Sequence, residues 1–231
     1  IVAYHDHNGE KMRPYLIERI SQGDHVALVS DAGTPLISDP GYKLVAACRG
    51  HGLRVTTTPG PSAAIAALTM SGLSSDRFLF AGFVPTALKA REKQFAELAT
   101  LSATSIWFDT TSRLARSLSD MASVFGNRQA CVAREITKLH EEALHGSLGG
   151  LAADLQAKPP MKGEVVIVVA GRNIEDTLID DDALAAMLRA EMDGQRLRDA
   201  VAAIVAATGV AKNRVYKLAL EIAKQDSGAV D

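Results

Sequence analysis

The sequence contains no uninterrupted apolar run of the roughly 18 residues that a membrane-spanning helix needs. Nothing in it has the basic, apolar and small-residue succession of a secretory signal. Cysteine is nearly absent, and Cys48 and Cys131 lack metal-ligand or redox spacing, so they read as small buried hydrophobes in a reducing compartment, the cytoplasm. There is no phosphate-binding P-loop, no Rossmann glycine fingerprint, no nucleophile elbow and no zinc spacing. No metal is therefore expected. There is also no initiator methionine: Ile1-Val2-Ala3-Tyr4 reads as the end of a strand, and the N-terminal strand itself as missing. Finally, there is no excess of positive charge. A formal net charge of −2 argues against a protein that holds naked nucleic acid by broad electrostatics and leaves room for a local basic tail.

What is present is an ordinary globular composition, 47% apolar and 23% charged over 231 residues, enough for one large domain or two small ones. Short β-branched runs alternate with helical periodicities up to about Arg172, which predicts an α/β architecture. Strands are expected at Val26–Ser30, Arg54–Thr58, Phe78–Phe83, Ser105–Asp109, Gln129–Arg134 and Glu164–Ala170. Helices are expected at Tyr42–Arg49, Ser62–Met70, Ala90–Leu101 and Ser112–Ser123. Gly50 and Gly52 stop the first of these helices, and Gly72 the second.

Beyond an acidic linker at Asp176–Asp182 the pattern is wholly helical. Leu184, Met187 and Leu188 mark one helix, and Leu197, Val201, Ile204 and Val205 a second that Gly209 ends. Val215, Leu218 and Ile222 form the inward face of a third. Two helices joined by a short glycine-containing turn fit a helix-turn-helix outline. Between Ala183 and Gln225 the balance is +3, against −5 for the rest of the chain. Arg214, Lys217 and Lys224 fall on one exposed side of the last helix, with Glu221 among them. A solvated face on a packing module fits this row as well as RNA contact does.

Three segments concentrate chemistry. In Val26-Ala27-Leu28-Val29-Ser30-Asp31-Ala32-Gly33-Thr34-Pro35-Leu36-Ile37-Ser38-Asp39-Pro40-Gly41 an apolar strand runs into a turn-forming, acidic loop, and a helix follows. Ligands of open α/β sheets sit at such strand ends. Gly33 permits close approach, Thr34, Ser38 and Asp31 can orient polar atoms, and Pro35 and Pro40 stiffen the loop. An ordinary βα turn is the competing reading, but two prolines and two aspartates in one turn are unusual. Thr58-Pro59-Gly60-Pro61-Ser62-Ala63-Ala64 repeats the logic: Ser62 is placed to cap a helix whose first N–H groups could hold a carboxylate, or simply to cap it. In Val132-Ala133-Arg134-Glu135-Ile136-Thr137-Lys138-Leu139-His140-Glu141-Glu142 a third strand ends in interleaved basic and acidic groups. Arg134 and Lys138 suit phosphate, and a glutamate or His140 could accept a proton, although a salt-bridged surface turn would look alike.

These blocks, together with His5-Asp6-His7-Asn8, resemble the rRNA small-subunit methyltransferase I family, of the tetrapyrrole methylase superfamily, and they come in that family's order. The resemblance implies a two-lobe tetrapyrrole-methylase-like α/β fold with a small all-helical C-terminal appendage: residues 1–74 form the first lobe, 75–175 the second and 183–225 the helix-turn-helix-like module. It implies S-adenosylmethionine in the cleft between the lobes and 2′-O-methylation of a cytidine in small-subunit (16S) rRNA. Asp31, Gly33, Thr34, Ile37, Ser62 and Ala63 are then the expected cofactor contacts. Arg134, Lys138, Arg214, Lys217 and Lys224 are the expected RNA contacts, and Glu135, Lys138 and His140 the unranked proton acceptors. The partner is the small ribosomal subunit's rRNA, with no membrane; a second copy of the chain, as a homodimer, is left open. The family's initial strand and Thr-Pro-Ile-Gly-Asn-Leu-type loop do not occur here. Trp107-Phe108-Asp109-Thr110-Thr111-Ser112-Arg113 keeps the aromatic, acid and arginine of a family segment without its proline and histidine. Two rivals stand beside this reading, a methylase of small tetrapyrroles and a non-catalytic ribosome-binding remnant.

Overall fold

The computed structural model describes residues 1–159, 161–172, 181–193, 195–208, 210 and 212–227. Its centre is a mixed five-stranded sheet in the order β1-β2-β5-β3-β4, built from β1 (Phe78–Phe83), β2 (Thr104–Thr110), β3 (Gln129–Arg134), β4 (Glu142–Ser147) and β5 (Glu164–Val169). β1 and β2 run parallel, and every other pairing is antiparallel. β5, at the centre, reads Glu-Val-Val-Ile-Val-Val because both its faces are covered. The two-residue period divides its side chains. Val165, Ile167 and Val169 join Trp107, Phe95, Leu118 and Met121 on one face, whereas Val166 and Val168 join Ile106, Cys131 and Ala133 on the other.

Helices α4 (Leu88–Leu98), α5 (Leu114–Phe125) and α6 (Leu148–Ala157) supply the first cover. α3 (Ala63–Ser71) lays its small face, Ala64 and Ala67 with Leu68, on the second. Small residues there let a helix approach the sheet closely. Gly72 ends α3 at φ +66°, the left-handed cap that only glycine takes cheaply. A buried arginine fixes α4 against α5: Arg91, 3% exposed, bonds Asp120 through Nε at 2.7 Å and the carbonyls of Pro85 and Thr86 through Nη1.

Ahead of the sheet, α1 (Gly9–Ser21) and α2 (Tyr42–Gly50) pack through Leu16, Ile17, Leu44 and Cys48. The strands expected at Val26–Ser30 and Arg54–Thr58 do not form. Neither segment has a ladder partner among the described residues, and Val26 and Val29 are exposed. A strand buries its side chains only where its backbone is paired, so alternation alone was insufficient. Gln129–Arg134 and Phe78–Phe83 form as expected, and the remaining expected strands and helices form with ends shifted by a few residues.

α7 (Asp181–Met192), α8 (Leu197–Thr208) and α9 (Lys212–Ser227) share a separate core of Leu184, Leu188, Val201, Ile204, Val215, Ala219 and Ile222. Its apolar spacing matches the expectation, with Leu197, Val205 and Leu218 at the margin, except at Met187, which is exposed. Most of the expected acidic linker, residues 176–180, lies outside the described residues, as does Gly209. Among the described residues no helix is long and apolar enough to cross a membrane.

Candidate active site

The sheet ends and the loops before α2 and α3 line an open cavity of about 680 Å³. One wall comes from residues 28–35 and 37–40 with Ser62 and Ala63. The other is the edge of the sheet where β1 and β2 finish and β5 begins, with Phe83, Phe108, Asp109, Thr110, Glu164 and Val165. Because β2 and β5 are antiparallel, with Thr110 opposite Glu164, the end of one and the start of the other meet at one edge.

All six residues expected around the cofactor, Asp31, Gly33, Thr34, Ile37, Ser62 and Ala63, line this cavity. The loops that carry them are tied together, since the Thr34 hydroxyl donates to the Pro61 carbonyl at 2.8 Å. The Ser30 hydroxyl donates within its own loop, to the carbonyls of Ala32 and Gly33. Ser62 occupies the position before α3 with extended backbone, but its side chain makes no capping bond. Gly33 has φ +69°, and a Cβ there would find only the Pro61 oxygen, at 4.0 Å. Backbone conformation, more than crowding, is what demands glycine.

Backbone strain marks two loops. Among the described residues four non-glycine residues have left-handed φ: Leu36 (+73°), Ser38 (+60°), Glu135 (+50°) and Thr137 (+67°). Such conformations cost about 1–2 kcal/mol each and persist where surrounding contacts over-determine them. Two are in the Ser30–Gly41 loop and two in the turn after β3.

In that turn the expected groups are largely engaged with one another. Glu135 Oε1 accepts from the Glu164 backbone N–H at 2.9 Å and from Lys138 Nζ at 3.0 Å. These hold the Glu135 carboxyl below its usual range, the backbone N–H first and the ammonium after it. Lys138 also donates to Glu164 Oε2 at 3.0 Å, and Glu164 and then Glu135 raise its pKa. A carboxylate made less basic and an ammonium made harder to deprotonate are both weakened as proton acceptors. Arg134 bonds Glu142 Oε2 and the Lys162 carbonyl, each at 3.0 Å, joining the end of β3 to the start of β4. His140 is exposed and is not among the residues that line the cavity. In α9, Arg214 bonds Asp181 Oδ1 at 3.0 and 2.6 Å, whereas Lys217 is exposed. The Lys224 side chain lies outside the described residues.

Asp109, read in the sequence only as part of an unusual segment, is the buried acid of the cavity, with its side chain 0% exposed. Its Oδ1 accepts from the Thr110 N–H at 2.8 Å and from Arg113 Nη2 at 2.5 Å. Its Oδ2 is buried without a partner, as is Arg113 Nη1. The available signal was an acid ending the apolar run Ile106-Trp107-Phe108. Phe108 meets Phe80 and Phe83 edge to face, at 4.8 and 5.5 Å between ring centres, which gives this wall its apolar part. Among the described residues no cluster of three or more His, Cys, Asp or Glu could hold a metal ion.

The profile of the tetrapyrrole (corrin/porphyrin) methylases matches residues 3–152, and that of the RsmI C-terminal HTH domain matches residues 179–223. Ribosomal RNA small subunit methyltransferase I of Mesorhizobium japonicum is 44% identical over 231 residues, covering 99% of this chain and 77% of that protein. Its counterpart in Escherichia coli O157:H7 is 42% identical over 226 residues, covering 96% and 78%. Among solved structures, diphthine synthase superposes with a TM-score of 0.53 at 16% identity over 74% of this chain and 69% of that one, a likeness of fold. Two independent profiles in order and identities above 40% across nearly the whole chain lead to one conclusion: the chain belongs to the ribosomal RNA small subunit methyltransferase I family of tetrapyrrole methylases.

Proposed function

We propose that this chain transfers a methyl group from S-adenosylmethionine to the rRNA of the small ribosomal subunit, at the ribose 2′-hydroxyl of a cytidine, in the cytoplasm. The observation that carries the reading is the single cavity joining the Ser30–Pro40 loop, the start of α3 and the edge of the sheet. Its volume lies within the about 300–1,000 Å³ typical of small-ligand sites. Its donor set suits the cofactor: Asp31 and Thr34 for hydroxyl or amino groups, Ile37 with Phe83 and Phe108 for an aromatic base. Ser62 leaves the first N–H groups of α3 uncapped by its side chain, and these attract a carboxylate.

When bound, S-adenosylmethionine supplies an electrophilic methyl carbon together with its own leaving group. The chain's work is to hold the acceptor hydroxyl in line with that carbon and to keep water out, effects worth about 7–11 kcal/mol in well-oriented reactions. The relatives' names specify small-subunit rRNA, which supports the same substrate class here. We divide the chain into lobes at 1–74 and 75–175 and a docking module at 183–225. Arg134, Lys138, Arg214, Lys217 and Lys224 serve RNA in this reading.

The test is transfer of a labelled methyl group to three acceptors: intact small subunits, protein-free rRNA and a tetrapyrrole precursor. Label in the subunit RNA is expected. Label in the tetrapyrrole alone overturns the substrate assignment, and no transfer to any acceptor overturns the activity.

A further inference from the structure

The His5-Asp6-His7-Asn8 motif has no part in the cavity described above. It folds as a tied turn: the Asn8 side chain accepts from the His5 N–H at 2.8 Å and donates to the Ala3 carbonyl at 2.9 Å. With the starts of α1 and α2, this turn lines a second, smaller cavity of about 240 Å³. That volume is below the about 300–1,000 Å³ of sites that take a whole small ligand, and it suits a single base or a ribose phosphate. Arg13 and Lys43 bring cations to it, Asp6 and Glu10 carboxylates, and Tyr4 and Tyr42 flat rings. The two cavities adjoin. Tyr4 lines both, and Pro40 on the larger one is followed in the chain by Gly41 and Tyr42 on the smaller.

The cations here are not spent on the protein. Among the described residues neither Arg13 nor Lys43 forms an ion pair, although two carboxylates line the same space. Lys43 Nζ lies 5.9 Å from the centre of the Tyr42 ring, and Tyr42 is 63% exposed. An exposed tyrosine with an ammonium beside it offers a stacking face for a base and a charge for its phosphate. Carboxylates accept from ribose hydroxyls and from base amino groups. Two cations balanced by two carboxylates make a poor trap for a bare anion. They match a nucleotide, which carries a phosphate and hydrogen-bond donors together.

We infer that the smaller cavity binds a nucleotide flanking the methylated one on the same RNA strand. The inference rests on the RNA-methylation reading above and extends its substrate contacts to residues outside the larger cavity. The base stacks on Tyr42, the phosphate meets Arg13 and Lys43, and Asp6 and Glu10 accept from sugar or base. Because the Ser30–Gly41 loop joins the two spaces, docking of the flanking nucleotide helps to set where the acceptor ribose enters the larger one.

The test is binding of small subunits, at several salt concentrations, by wild type, Tyr42→Ala, Tyr42→Phe, Lys43→Gln and Lys11→Gln, with S-adenosylmethionine affinity measured on each by calorimetry. Tyr42, Lys43 and Lys11 are all exposed, so these changes leave the core intact. Stacking of one base corresponds to about 5- to 150-fold in affinity, so Tyr42→Ala should weaken subunit binding at least about 5-fold and Tyr42→Phe should keep most of it. Lys43→Gln should reduce the slope of log affinity against log salt by about 0.7, one single-strand phosphate contact. Lys11→Gln, on α1 but outside the cavity, should match wild type, and cofactor affinity should be the same in all five proteins. Wild-type subunit binding by Tyr42→Ala overturns the inference. So does an equal loss in Lys11→Gln, which makes the effect one of general charge, or a cofactor affinity that falls in step with subunit binding. A wild-type protein that neither binds subunits nor methylates their RNA overturns the functional reading itself, a different outcome from an active protein insensitive to Tyr42→Ala.

Discussion

The hydroxyl of Thr34 reaches the carbonyl of Pro61 at 2.8 Å across 27 residues of chain, pinning the loop before α2 to the loop before α3. Both loops line the cavity, so this bond holds the two parts of its loop wall together. Thr34→Val keeps the shape and removes the donor. A net hydrogen bond contributes about 0.5–1.5 kcal/mol, so cofactor affinity should fall by roughly 2- to 12-fold with the melting temperature little changed. Thr34→Ser should restore it. Calorimetric titration of the three proteins is the check, and equal affinities would detach this bond from the site.

Gly33 should be sensitive for a conformational reason. At φ +69° an L-residue is strained, and a β-branched one most of all. Gly33→Val should abolish cofactor binding in a folded protein. Gly33→Ala, with only a carbonyl at 4.0 Å from its new methyl, should bind with a smaller loss of about 1–2 kcal/mol. A fully competent Gly33→Ala beside an inactive Gly33→Val would point to crowding by side-chain bulk and away from backbone strain.

Much of the sheet was legible because its strands are apolar and β-branched. Glu164–Val169 and Gln129–Arg134 pack on both faces, and burial of that kind writes itself into composition. β4 was not legible: Glu-Ala-Leu-His-Gly-Ser has little strand propensity and becomes a strand only by pairing with β3. α1 carries Pro14 in its interior, and α6 opens with Gly149 and Gly150, so both lacked a helical signature. Val26–Ser30 erred the other way, having the right residues and no paired neighbour. At the site, the residues of the loop wall could be grouped from sequence because they are contiguous in two loops. Asp109 was not legible, since its burial and its ion pair with Arg113 arise where β2 meets α5 at one edge of the sheet. The engagement of Glu135 by Lys138 likewise depends on a left-handed turn that spacing does not reveal.

The turn after β3 should impose a pH dependence. Glu135 has a lowered pKa, so its contribution to stability is present above the ordinary carboxylate range and is lost as pH falls through its folded value. Lys138 has a raised pKa, so its contribution is present below the ordinary ammonium range and is lost as pH rises through its folded value. The gap in melting temperature between wild type and Lys138→Met should therefore be widest near neutrality and shrink toward both extremes. Added salt should narrow it, because Lys138 is half-exposed. In activity, Arg134→Ala and Lys138→Ala should lower transfer to subunits with cofactor affinity nearly unchanged. A parallel loss of cofactor binding would move this segment into the cofactor pocket.

The terminal helices should act through RNA phosphates. Changing Arg214, Lys217 and Lys224 to glutamine should weaken subunit binding and flatten its salt dependence, each lost phosphate contact removing about 0.7–0.9 from the slope of log affinity against log salt. Arg214 is shared with Asp181, so its part of the effect should be the smaller. Binding curves at several salt concentrations test this, and superimposable curves would make the module a packing element only.

The most direct measurement of the central claim is the chemical identity of the product. Small subunits lacking the modification are incubated with the protein and S-adenosylmethionine, and the rRNA is digested to nucleosides and analysed by mass spectrometry. The account predicts 2′-O-methylcytidine, formed by wild type and suppressed by Gly33→Val. A methyl group on a base, or no modified nucleoside in the presence of a bound cofactor, would contradict it.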